Sequence, residues 1–215
     1  MNAGSLEPVF RVCLDLNVWI SFCLAEAANA SGTIIQDMID IIDRDRSPVG
    51  PIQIVMSHAM LERLKFVLLE KFSAPDTDHF VRVIRGFVQD PLLLVVDGGV
   101  EPTRDAIRNY RGYDPGNPES RPAPPYDPED GRVLDTAIAA RADVLVTRNF
   151  KDFWYHQAKV IEWEKLIIRM IGEHEIVIIQ PELVMPWLRT GISPVPKTPK
   201  PDETTDEVVA SGTKP

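Results

Sequence analysis

A three-layer α/β/α sandwich around a central, mostly parallel sheet is the fold class that the sequence predicts. Two observations predict it. Short apolar runs of strand length alternate along the chain with longer segments of helical spacing. The runs are apolar on consecutive residues, as strands covered on both faces are. The composition allows such a core: 44% of the 215 residues are hydrophobic, an ordinary share for a globular domain.

The elements follow in order. Residues 9–14 (VFRVCL) form a short buried strand, and residues 18–30 and 33–44 (TIIQDMIDIIDR) form helices. Residues 52–56 (IQIVM) give a second strand. Ser57 then suits an N-cap, and the following helix (HAMLERLKFVLLEKF) puts Leu61, Leu64, Leu68 and Phe72 on one face. A helix over 76–88 leads to a third strand over 92–96 (LLLVV). The Ala-rich segment 131–142 reads as a helix and 144–146 (VLV) as a fourth strand. Residues 163–171 (WEKLIIRMI) have the apolar spacing of an amphipathic helix, and 175–179 (EIVII) make a fifth strand. Pro181 suits the first turn of a last helix ending near Arg189.

The domain is expected over 9–190, with a Pro-rich exposed loop at 112–128 and an extended segment at 155–174. Residues 191–215 are rich in Pro, Thr, Lys and acids and are expected to be a disordered tail. Cys13 and Cys23 stand outside any metal-type spacing and read as buried thiols of a reducing compartment. The apolar stretch VWISFCLA has Arg11, Asp15 and Asn17 immediately before it, and no Lys or Arg occurs in the first ten residues, so the usual positive n-region of a signal peptide is missing. No run reaches the roughly 18–20 apolar residues of a membrane span. A cytoplasmic protein without a membrane partner is expected.

The formal net charge is −9, from 23 basic and 32 acidic residues. Such a surface repels phosphate backbones at long range. It leaves room for a local basic patch, or for a site whose sign a bound cation reverses.

Parallel sheets carry their sites beyond the carboxyl ends of the strands, so the polar residues placed there matter most. Asp15 follows the first strand, with Asn17 two residues on; as an ion or phosphate site and as a plain helix cap it reads about equally well. Glu62 follows the second strand; its neighbours Leu61 and Leu64 suggest the helix–core boundary, but by itself an exposed helical Glu, paired for instance with Lys65, is the stronger reading. The long loop delivers Asp127, Glu129 and Asp130, with Asp135 further along the helix. Asp130 opens that helix, where the macrodipole favours an acid in any case, and Asp127 and Glu129 read as solvated loop charges. Thr147 and Asn149 close the fourth strand and could orient neighbouring carboxylates. Asp152 could add an outer acid. Carboxylates gathered at one edge repel unless protonated or bound to a cation, and oxygen-only ligands favour Mg²⁺ or Mn²⁺. Arg132, Arg148 and Lys151 lie next to this edge in sequence, and Arg104, Arg108 and Arg111 share a face if their segment is helical; any of them could meet phosphates.

With these residues in place, the sequence resembles the PIN-domain family of nucleases, and within it the VapC-like toxin ribonucleases of toxin–antitoxin pairs. The opening strand ends in an Asp-x-Asn-Val motif at Asp15 to Val18. Glu62 lies early in the helix after the second strand. The block DPEDGRVLDTAIAARADVLVT resembles the family's third acidic motif, and TRNFKDF its last. The resemblance implies metal-dependent cleavage of RNA by Mg²⁺ or Mn²⁺ held by Asp15, Glu62 and Asp130, with Asn17, Thr147 and Asn149 in support. Arg148, Lys151 and Arg132 would bind substrate. It also implies a possible antitoxin partner and a homodimer. Where the family often has Asp, this chain has Asn149, so the fourth acid is either missing or supplied by Asp152. That departure motivates the alternative of a non-catalytic interaction or RNA-binding module that holds metal weakly. A phosphatase with an Asp nucleophile would want an acid where Asn17 stands, and a dinucleotide-binding domain would want a Gly-rich turn after the first strand.

Overall fold

The computed structural model describes residues 9–44, 47–89, 94–96, 128–150, 153, 159–171 and 174–196. Strand β1 (Phe10–Leu14) leads into helices α1 (Leu16–Ala27) and α2 (Ile34–Asp43). Strand β2 (Ile52–Ser57) leads into α3 (His58–Leu69) and α4 (Ala74–Gln89), and then to β3 (Leu94–Val96). Helix α5 (Pro128–Ala139) precedes β4 (Val144–Val146), and β5 (Lys159–Glu162), β6 (Leu166–Ile171), β7 (His174–Ile179) and α6 (Pro181–Thr190) complete the order. The expected Pro-rich loop and most of the expected tail lie outside the described residues.

The seven strands form one sheet in the order β3-β2-β1-β4-β7-β6-β5. The pairs β3–β2, β2–β1, β1–β4 and β4–β7 are all parallel. The carboxyl ends of five strands therefore share one edge. The first connections carry the chain outward from β1 through β2 to β3; β4 then returns to the other side of β1. The crevice between the ends of β1 and β4 is thus the switch point of the sheet, the place where open α/β sheets bind ligands.

Burial follows from this order. Central β1 keeps Val12, Cys13 and Leu14 wholly inside, and β4 does the same with Val144, Leu145 and Val146. Helices flank the sheet and cover its strands. Several helix ends are set by short side chains. Thr33 and Gln36 form a capping box at the start of α2, and the Ser57 hydroxyl accepts from the Met60 N–H at 3.2 Å. Pro181 opens α6, and Gly191 ends it at φ 73, a left-handed conformation that glycine adopts without strain. Among the described residues no helix is long and apolar enough to cross a membrane.

One expected element is different. Residues 163–171 are not a helix: a turn at 163–165 joins β5 to β6, which lies antiparallel between β5 and β7. Leu166, Ile167 and Ile168 are buried on consecutive residues, as an interior strand demands. Leu166 pairs with Ile179 and Ile167 with Ile178. The helical spacing of Trp163, Leu166 and Ile167 is misleading because Trp163 sits in the turn, 62% exposed. Three β-branched residues, Ile167, Ile168 and Ile171, and partners on both sides decide in favour of the strand. The sheet accordingly has two strands more than the five expected.

Cys13 and Cys23 are buried, free thiols. Burial pushes Cys23 up to about 12, with the Glu26 charge adding to it, and burial followed by the Asp15 charge pushes Cys13 upward as well. The folded chain thus keeps thiol protons that the unfolded chain releases. That contribution to stability is complete below the ordinary thiol value and is lost as pH rises through about 12. In the folded protein neither thiol is expected to react with Ellman's reagent at mildly alkaline pH, and both are expected to react once denaturant is added. Prompt modification of either thiol in the folded protein would contradict this burial.

Candidate active site

Asp15 is the first residue beyond β1, and its backbone continues the sheet: the Asp15 N–H donates to the Val146 carbonyl at 3.0 Å. Its side chain caps α1, with Oδ1 accepting from the Leu16 N–H at 2.6 Å. The capping reading of Asp15 therefore holds. It accounts for only half of the carboxylate, because Oδ2 accepts from Asn17 Nδ2 and from Thr147 Oγ1, both at 2.6 Å. The residue is 2% exposed. Burial pushes its carboxyl up, while hydrogen bonds from Thr147, Leu16 and Asn17 pull the other way.

Thr147 holds the matching place after β4 and is 0% exposed. Its N–H donates to the Ile179 carbonyl of β7 at 3.0 Å. Its hydroxyl gives its proton to Asp15 and accepts from the Asn149 N–H at 2.9 Å. The Asn149 side chain then donates through Nδ2 to Asp130 Oδ2 at 3.1 Å. Asp130 lies in the first turn of α5 and is 8% exposed. Two buried carboxylates, 115 positions apart by number (130 − 15), are thus joined through one three-residue turn at the switch point. Asn17 adds a link, because its Oδ1 accepts from the Arg148 N–H at 3.3 Å. Helix α5 is tied to the same edge by Thr136, whose hydroxyl lies 2.9 Å from that of Ser57 at the end of β2.

The other expected site residues fall differently. Glu62 is exposed on α3 rather than at the edge of the core. It follows Leu61 on the turn, and the helix gives its buried face to Met60, Leu61, Leu64 and Leu68. Among the described residues no group of three or more His, Cys, Asp or Glu lies close enough to hold a metal ion, so the expected trio of Asp15, Glu62 and Asp130 is not gathered. Asp135 is half-buried on α5, and Arg132 is exposed there. Arg148 is exposed and pairs with Glu182 at 2.6 Å. Lys151, Asp152, Asp127, Arg104, Arg108 and Arg111 lie outside the described residues. Ser57, Thr136 and Glu182 are the members of this edge that sequence reasoning gave no role in the site. Ser57 stands out in sequence only as a cap, and Thr136 and Glu182 carry no motif of their own.

The PIN domain family model matches residues 11–151, from within β1 to just past β4. The match spans well over half of the chain, so the chain belongs to the PIN domain family. Its fold is of the nuclease type, as PIN domains generally are nucleases. No curated protein matches the chain.

The Thr147 hydroxyl both donates and accepts in a site with no solvent to replace it. Thr147→Val keeps the shape, and leaves the Asn149 N–H without its acceptor and Asp15 short of a donor. Loss of about 1–3 kcal/mol of stability is expected in urea unfolding, with Thr147→Ser close to wild type. Equal midpoints for Thr147→Val and wild type would show that the hydroxyl is not needed to satisfy these groups.

Proposed function

We propose that the chain is a metal-dependent ribonuclease that hydrolyses RNA phosphodiester bonds in the crevice between the ends of β1 and β4. The observation that carries this reading is the bridging of Asp15 to Asp130 by Thr147 and Asn149 at the switch point of the sheet. Burial opposes the ionisation of Asp15, and a nearby cation would favour its charged form.

The residues present fit Mg²⁺ or Mn²⁺. The donors are oxygens only, and Mg²⁺ is commonly held by one or two carboxylates, with waters and substrate phosphates completing its shell. Asp15 and Asp130 are the residues that would hold it. When bound, the ion supplies Lewis acidity to the scissile phosphate and makes water a better nucleophile. The chain's own groups do the rest. Asn17 and Thr147 fix the Asp15 carboxylate in one orientation, and Asn149 does the same for Asp130. Arg148, Arg132 and Lys151 are assigned to the phosphates flanking the cut. Asp152 is assigned as an outer acid of the same centre.

A second reading has specific support. Asn149 stands where the family often has an acid, and no group of three carboxylates is gathered among the described residues. Both features suit a non-catalytic module that binds RNA or a partner protein.

The two readings separate in one assay: cleavage of a single-stranded RNA in Mn²⁺, with chelator as control. Wild type is expected to cut, and chelator to abolish the cut. Asp15→Asn and Asp130→Asn, checked for folding by circular dichroism, are expected to lose more than the ~10–100-fold that removal of a supporting residue costs. Cleavage at the same rate by wild type and Asp15→Asn would end the nuclease reading and leave the binding module.

A further inference from the structure

Arg148 lies at the switch point, and its partner is an acid of another element. It follows Thr147 directly, and its backbone N–H is held by Asn17, the residue that also donates to Asp15. Its guanidinium does not reach outward alone: Nη2 donates to Glu182 Oε1 at 2.6 Å. Glu182 lies in the first turn of α6, which follows β7. Because β4 and β7 run parallel, with Val146 opposite Ile179, Glu182 and Arg148 stand at the same sheet edge. Glu182 lies outside the stretch that the family model matches, whereas Arg148 lies inside it.

We propose that Glu182 is a gating acid for substrate: it occupies Arg148 at the rim of the Asp15–Asp130 crevice, and an RNA phosphate must take its place when substrate binds. This rests on the phosphodiester-cleaving reading of the site. Three physical points support it. A phosphate offers the guanidinium the same planar, charge-assisted pairing that a carboxylate does, so one can replace the other. Both side chains of the pair are 45% exposed, and exposed ion pairs are weak enough to exchange. Glu182, once released, remains in the first turn of α6, where the positive end of the helix still favours it. The displaced acid therefore needs no new partner. The resting protein thereby shows an ion pair at this edge, and the Nη2 donors of Arg148 open fully to a ligand only when Glu182 gives way.

The test uses the full chain, a labelled single-stranded RNA, and the variants Glu182→Gln, Arg148→Gln and their combination. Affinity is read by fluorescence anisotropy in chelator, and KM and kcat are read in Mn²⁺. Glu182→Gln is expected to bind RNA about two- to fivefold more tightly, the factor that freeing one exposed pair releases, with the change falling on KM rather than kcat. Arg148→Gln is expected to weaken binding, and the gain from Glu182→Gln is expected to vanish in the Arg148→Gln background. Unchanged affinity in Glu182→Gln, with wild type binding and cutting RNA, overturns the gate and spares the ribonuclease reading. A gain that persists without Arg148 also overturns it, since that gain would come from net charge alone. Failure of wild type to bind or cut RNA removes the ribonuclease reading, and the gate with it.

Discussion

The Asp15 carboxylate is the constraint on which the site depends. It sits just beyond β1, an interior strand of the sheet, 2% exposed, in a position where an anion is costly unless it is well hydrogen-bonded. The chain meets that cost from three directions. The start of α1 gives a backbone N–H, Asn17 gives an amide, and Thr147 gives a hydroxyl from a strand more than a hundred residues away. Each donor is itself fixed: Leu16 by the helix it opens, Thr147 by its N–H on β7, and Asn17 by its bond to the Arg148 N–H. Orientation of the carboxylate is therefore a property of the whole parallel edge and not of one loop.

Much of this was legible in sequence because burial on a parallel sheet leaves an apolar record. Residues 9–14, 52–56 and 144–146 are read as strands from their apolar runs, and Asp15 and Thr147, which follow the first and the last of them, meet at the carboxyl edge. Ser57 as a cap and Pro181 as a helix start are local rules and hold locally. The segment 163–171 was not legible, since its fate depends on partners remote in sequence. Its Leu166, Ile167 and Ile168 satisfy a helical pattern as well as a strand, and only pairing with β7 on one side and β5 on the other chooses between them. Glu62 shows a related limit: flanking leucines leave both the core boundary and the surface open, a helix turns by about 100° per residue, and Glu62 follows Leu61 out to solvent. Glu182 could not be found at all, because an ion pair across two elements has no signature in either.

Asn149 puts an amide, and not an acid, between the two carboxylates of this edge. An acid there would add a third anion to Asp15 and Asp130, and the three would need a cation to coexist. The amide instead donates a hydrogen bond to Asp130 and carries no charge. The pair Asp15 and Asp130 is thereby held without demanding as much of a bound ion. The same economy suits a chain of net charge −9, where further acids at the site would strengthen the long-range repulsion of a polyanionic substrate.

The family match ends at residue 151, yet the site does not end there. Thr147 takes its backbone partner from Ile179 on β7, and Arg148 takes its side-chain partner from Glu182 on α6. Remove β7, and the N–H that positions Thr147 loses its acceptor; the hydroxyl that orients Asp15 then loses its anchor. The later hairpin, β5 with β6, covers the far side of β7 and gives it a second neighbour. The last quarter of the fold is therefore structural support for residues of the matched region and, through Glu182, a source of charge at its mouth. A piece of the chain stopping at the family boundary would keep Asp15, Asp130 and Thr147 in sequence while losing the contacts that hold Thr147 and Arg148 in place.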